Sequence, residues 1–134
     1  MNVLLTGAFG NIGAATLQEL QAAGHTVRCF DVATAENRHR ARQVTMPAEV
    51  VWGDLRRPDD VARAVAGQEA IVHLAFVIPK LSATGVNSED DPEFARAINV
   101  GGTLNLLSAA KAQPRPPRFF FASSLHVYGR TQHL

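Results

Sequence analysis

The stretch TGAFGNIG, Thr6 to Gly13, lies directly behind the apolar run Val3-Leu4-Leu5 and ahead of a segment with helical character. Three glycines spaced three apart at a strand-to-helix turn each have a separate physical use. Gly7 permits the tight turn, Gly10 lets the backbone approach a pyrophosphate, and Gly13 lets the helix pack against the strand. The amide groups at the helix start, with the positive end of the helix dipole, suit phosphate oxygens, and Phe9, Asn11 and Ile12 complete the cofactor-binding loop. A tight turn that merely needs glycine is the alternative.

The rest of the chain supplies context for that loop. Five short apolar runs recur at Val3–Leu5, Thr26–Phe30, Glu49–Trp52, Ala70–Leu74 and Arg118–Phe121, with helical segments between them. Near-continuous apolar strands alternating with helices predict a parallel sheet covered on both faces, an α/β doubly wound, Rossmann-like fold of about five strands. Helices are expected over Asn11–Ala23, stopped by Gly24, from Pro58 to Gly67, and over a long span from Pro92 to Lys111 with Asp91 as cap and Pro114 as stop. Residues 33–45 read as a loop with one weak helix, and residues 81–90 as a polar surface loop or flap after the fourth strand.

Asp31 ends the second strand eighteen residues past Gly13, near the offset of roughly 20 residues at which an acidic side chain meets the adenosine ribose. A carboxylate there accepts from both ribose hydroxyls and repels a 2′-phosphate, which favours NAD over NADP. Arg38, Arg40 and Arg42 keep the 2′-phosphate alternative open, and a turn-capping aspartate is the structural one.

Composition narrows the partners. The chain has 134 residues, 46% hydrophobic and 19% charged, with thirteen basic against twelve acidic residues. That balance gives no electrostatic case for nucleic acid or an anionic membrane, and the apolar stretch from Ala70 to Pro79, broken by His73, is far below the roughly 20 residues of a membrane span. A small molecule is the expected partner. The N-terminus runs into the glycine loop without a basic flank, so Met1 is expected to begin the folded domain. The one cysteine, Cys29, reads as a buried small hydrophobe and fits a reducing, cytoplasmic setting. His73 reads as a strand residue, His126 receives no role, and no metal site is assigned.

The Gly7-x-x-Gly10-x-x-Gly13 spacing resembles the extended short-chain dehydrogenase/reductase family, the NAD-dependent epimerases and dehydratases. GDL at Gly53–Leu55, HLA at His73–Ala75, NVGGTLNLLSAA at Asn99–Ala110 and SSLHVYG at Ser123–Gly129 match it in the same order and together cover nearly the whole chain. The resemblance implies that Asp54 bonds the adenine amine while Leu55 packs on the ring. It also implies that Leu74, Ala75 and Phe76 pass beneath the cofactor, that Asn99 sits beside the site, and that Ser124 bonds the substrate's reacting oxygen. Leu125 and His126 stand where dehydratases of the family carry an Asp-Glu pair, which argues against that elimination.

Family chemistry also needs a Y-x-x-x-K pair. The single tyrosine, Tyr128, has Gln132 four residues on, and neither Lys80 nor Lys111 fits the role. The expectation is therefore the cofactor-binding part of an NAD-dependent oxidoreductase or epimerase acting on a sugar nucleotide or related hydroxyl or carbonyl substrate, ending before the sixth strand and the substrate-binding part. These 134 residues alone are expected to be inactive. The alternative is a non-catalytic NAD(P)-binding sensor or partner-binding module. Family dimers pack through the helix corresponding to residues 92–111, which predicts a homodimer or an association-prone chain.

Overall fold

The computed structural model describes residues 1–78, 89–124, 127 and 129. Lys80, residues 81–88 of the loop expected over 81–90, and Leu125, His126 and Tyr128 lie outside that set. Strand β1 (Asn2–Thr6) leads through the glycine loop into α1 (Asn11–Ala22) and β2 (Thr26–Asp31). Then come α2 (Ala35–Arg42), β3 (Glu49–Trp52), α3 (Pro58–Val65), β4 (Ala70–His73), α4 (Pro92–Arg96), α5 (Thr103–Lys111) and β5 (Arg118–Phe121). The five strands form one parallel sheet in the order β3-β2-β1-β4-β5. The reversal of direction between β1 and β4 makes a topological switch point, where crevices open at the carboxyl ends of strands.

Burial explains why these runs are strands. Alternate residues of β1 enter opposite layers: Leu4 joins Phe30, Val61, Ile71 and Leu106 on one face, and Leu5 joins Phe9, Leu17, Val27 and Cys29 on the other. Side chains alternate across a pleat, so a strand covered on both faces must be apolar throughout. Burial also pushes the Cys29 thiol up to about 12, which keeps it protonated and inert.

Two elements differ from the sequence reading. Residues 33–45, expected to hold at most a weak helix, contain the defined helix α2. Thr34 caps it by accepting from the Asn37 amide at 3.1 Å, Glu36 lies in its first turn, and His39, Arg40 and Arg42 lie in its last. Capping and charges matched to the dipole compensate for a helix with almost no apolar face.

The long helix from Pro92 is continuous but not uniform. Between α4 and α5 the backbone widens into a π-helical segment, Ala97–Gly102. Gly102 sits at its end because a Cβ there would lie 2.6 Å from the Leu55 Cβ. π-Segments occur frequently at functional sites, and this one carries Asn99.

Candidate cofactor-binding site

The glycine loop divides its labour. Gly7 adopts φ +67°, a conformation open to glycine, and a Cβ there would press on the Ala75 backbone at 2.9 Å. A Cβ on Gly13 would lie 1.9 Å from the Gly7 carbonyl oxygen. Gly10 is different: a Cβ there meets nothing closer than that same oxygen, at 3.4 Å. Packing therefore requires Gly7 and Gly13, whereas at Gly10 the missing side chain keeps the cleft open. Gly10 is also the N-cap of α1, and no side chain caps this helix. The first amides of α1, which have no partner within the helix, are left to the cleft.

That cleft encloses about 470 Å³, a size within the roughly 300–1,000 Å³ of small-molecule sites. Gly7, Gly10, Asn11, Ile12, Gly13, Asp31, Asp54, Leu55, Leu74, Ala75 and Phe76 all line it. Ile12, 72% exposed beside the loop, offers an apolar surface at the cleft mouth. Three other residues named from the sequence do not line the cleft. The Phe9 side chain is buried against Trp52, with ring centroids 5.4 Å apart. Asn99 grips the Val77 backbone, accepting from its amide at 2.8 Å and donating to its carbonyl at 2.9 Å. Ser124 is exposed just past β5, where its carbonyl accepts from the Val127 amide at 3.2 Å.

Asp31 is held rather than free. Its Oδ2 accepts from the Phe9 amide at 3.0 Å, and its Oδ1 accepts from the Val32 amide at 2.9 Å and from Asn37 Nδ2 at 3.0 Å. Burial raises its pKa, while the two amides and the nearby Arg40 charge pull it back down. Asp54 is also engaged: the Arg56 guanidinium donates to both carboxylate oxygens, and the Arg56 amide donates to Oδ1 at 2.9 Å. The pairing with Arg56 holds its carboxyl below the usual range. Arg56 in turn lies over the Phe94 ring, 4.8 Å from its centroid.

The floor of the cleft is set by a buried polar chain behind it. His73, fully buried in β4, bridges Thr6 and Thr103 through its two ring nitrogens, at 2.7 and 2.9 Å. The hydroxyl inventory fixes the tautomer. Thr103 Oγ1 gives its proton to the Asn99 carbonyl oxygen at 2.6 Å, so it accepts from His73 Nε2–H. Thr6 Oγ1 accepts the Leu74 and Ala75 amides, both at 3.2 Å, so it donates to His73 Nδ1. Burial lowers the His73 pKa to about 4. His73 is thus a strand residue, as the sequence suggested, held neutral, and it orients the Thr6 hydroxyl that holds the Leu74 and Ala75 amides.

The sequence profile described as the NAD dependent epimerase/dehydratase family matches residues 3–134. The chain belongs to that family. It is 36% identical over 129 residues to a 3 beta-hydroxysteroid dehydrogenase/Delta 5-->4-isomerase of Mycobacterium tuberculosis, covering 93% of this chain and 32% of that protein. Among solved structures, a short-chain dehydrogenase/reductase superfamily protein from Agrobacterium tumefaciens with bound NAD is similar at TM-score 0.75 and 32% identity, over 96% of this chain and 34% of that one. A UDP-glucose-4-epimerase from Stenotrophomonas maltophila, also with bound NAD, is similar at TM-score 0.79 and 28% identity, over 99% of this chain and 40% of that one. The chain spans about a third of the length of the curated relatives it matches. Family membership, the Rossmann-like sheet and the likeness to NAD-bound structures agree with one another.

Residues the sequence did not assign to the site also form its wall: Phe30, Val32, Glu36, Gly53, Val77, Ile78 and Ile98, together with Arg40, which the sequence offers only to a 2′-phosphate. Arg38 instead stacks over Trp52 at 5.3 Å. A signal for Glu36 and Arg40 existed in their four-residue spacing, which puts an acid and a base on one helix face. Among the described residues no helix is long and apolar enough to cross a membrane, and no cluster of His, Cys, Asp and Glu is arranged to hold a metal.

Proposed function

We propose that this chain is the NAD-binding part of an oxidoreductase or epimerase acting on a sugar nucleotide or a related hydroxyl or carbonyl substrate. The observation that carries the reading is Gly10: a glycine that packing does not require, at the uncapped start of α1, in a cleft shared with Asp31. The pyrophosphate would lie against Gly10 and the amides of Asn11 and Ile12, with Asp31 toward the adenosine ribose and Leu55 against the adenine. NAD, when bound, would supply the hydride acceptor. The chain's own residues orient it: the His73 chain and Asn99 hold the Leu74–Val77 backbone that forms the facing wall.

Asp54 would meet the adenine amine only by sharing or exchanging contacts with Arg56, which already addresses both of its oxygens. Ser124 would bond the substrate oxygen, as the resemblance implies. The similarity to both steroid and sugar-nucleotide enzymes supports chemistry at a secondary alcohol or carbonyl. Val100, Leu104 and Leu107, exposed along one side of the long helix, support self-association through that helix. Calorimetric titration of the full natural chain with NAD tests the reading: saturable one-to-one binding is expected, and no heat at millimolar cofactor would sink it.

A further inference from the structure

Glu36 and Arg40 stand one turn apart on α2 and line the same cleft as Asp31. Arg40 Nη1 donates to the Phe9 carbonyl oxygen at 2.9 Å and to Asn11 Oδ1 at 3.5 Å, while Nη2 donates to Glu36 Oε1 at 2.5 Å. Both backbone polar groups of Phe9 are therefore engaged, because its amide donates to Asp31 Oδ2. Arg40 lies close enough to Asp31 that its charge favours the ionised carboxylate. A permanent guanidinium beside the carboxylate expected at the ribose is a ready receptor for a phosphate there. Its one charged partner on α2 is Glu36, which occupies Nη2.

We propose that Glu36 is a specificity-determining residue that makes the cleft select a dinucleotide with a free 2′-hydroxyl. It acts by holding the Arg40 fork down on the glycine loop, beside the rim occupied by Asp31. A 2′-phosphate arriving there meets the Asp31 carboxylate and a guanidinium whose Nη1 and Nη2 already donate to Phe9, Asn11 and Glu36. A 2′-hydroxyl meets only acceptors. The inference rests on the NAD-binding reading above and adds to it the group that tunes the choice of cofactor.

The test measures NAD and NADP dissociation constants by calorimetry for the full natural chain and two variants. Glu36→Gln keeps the side chain's size on an exposed helix position while loosening its hold on Arg40. It is expected to shift the affinity ratio toward NADP about tenfold, the scale of one charge-assisted phosphate contact. Glu36→Gln combined with Arg40→Met should return the ratio to within about threefold of wild type, because the freed guanidinium makes the gain. An unchanged ratio in Glu36→Gln, or a gain that survives in the double variant, overturns the proposal. A wild-type chain that binds neither dinucleotide overturns the proposed function instead.

Discussion

Gly10 and Gly13 lie three residues apart in one loop, yet they answer to different demands. A methyl at Gly13 collides with the Gly7 carbonyl oxygen, so Gly13→Ala is expected to cost about 3 kcal/mol or more in urea unfolding, since backbone cannot yield as a side chain does. A methyl at Gly10 meets only ordinary contact, so Gly10→Ala should unfold within about 1 kcal/mol of wild type. The same variant should bind NAD at least about tenfold more weakly by calorimetry, because the methyl takes space the pyrophosphate would use. Equal loss of stability in both variants would contradict this division.

His73 makes a second prediction at this scale. Its pKa is about 4 in the folded chain, down from 6.5, so between those values the unfolded chain binds the extra proton. The contribution of neutral His73 to stability is full above pH 6.5 and is lost as pH falls toward 4. The loss is on the order of 3 kcal/mol by linkage. The raised pKa of Asp31 has the opposite sense: its stabilising share is present below the unfolded value of 3.8 and disappears as pH rises through the folded one. Urea midpoints between pH 7.5 and pH 4.5 should therefore be compared with those of His73→Gln, in which the histidine-linked slope disappears.

At the scale of the element, α2 shows how far local chemistry reaches. It buries only Asn37, whose amide group donates to Asp31 Oδ1 and to the Val32 carbonyl oxygen, both at 3.0 Å. The same helix carries Glu36 and Arg40. Thr34→Ala removes the cap and should cost about 1 kcal/mol. The cost should fall on α2 and loosen the Asp31 side of the cleft, visible as faster amide exchange at Asn37 and Val32. Unchanged exchange there would show that Asp31 is held without the helix. The weak apolar pattern over residues 33–45 pointed only to a weak helix within a loop, because the stability of α2 comes from Thr34 and from charges placed along the dipole.

For the whole molecule, two cores on either side of one parallel sheet make burial the main support. Leu106, fully buried in α5 against the Leu4 and Ile71 side of the sheet, should lose about 2–5 kcal/mol on replacement by alanine, measured by chemical denaturation. The outer surface is less complete. Phe120 and Phe121 of β5 are 59% and 44% exposed, and Val100, Leu104 and Leu107 are exposed along the long helix. The 134-residue chain should associate as concentration rises, an outcome readable by sedimentation velocity. A monomer at all concentrations would contradict it.

The sequence by itself determined the strands, their parallel class and most of the cleft, because an apolar run with no polar face has one stable use and the glycine spacing marks the turn. Asp31 could be found by its offset, and Asp54, Leu55 and Leu74–Phe76 by their match to a family pattern. Only the tertiary structure decided what each group is bonded to. Arg56 lies across Asp54, Arg40 is tied between Phe9 and Glu36, and His73 spans β1 and α5 through contacts 67 and 30 residues away along the chain. The Phe9 and His73 contacts are set by how the sheet brings distant segments together, whereas Arg56 and Glu36 meet partners two and four residues away along the chain. Local residue patterns encode how the backbone runs, but not which side chains meet across it.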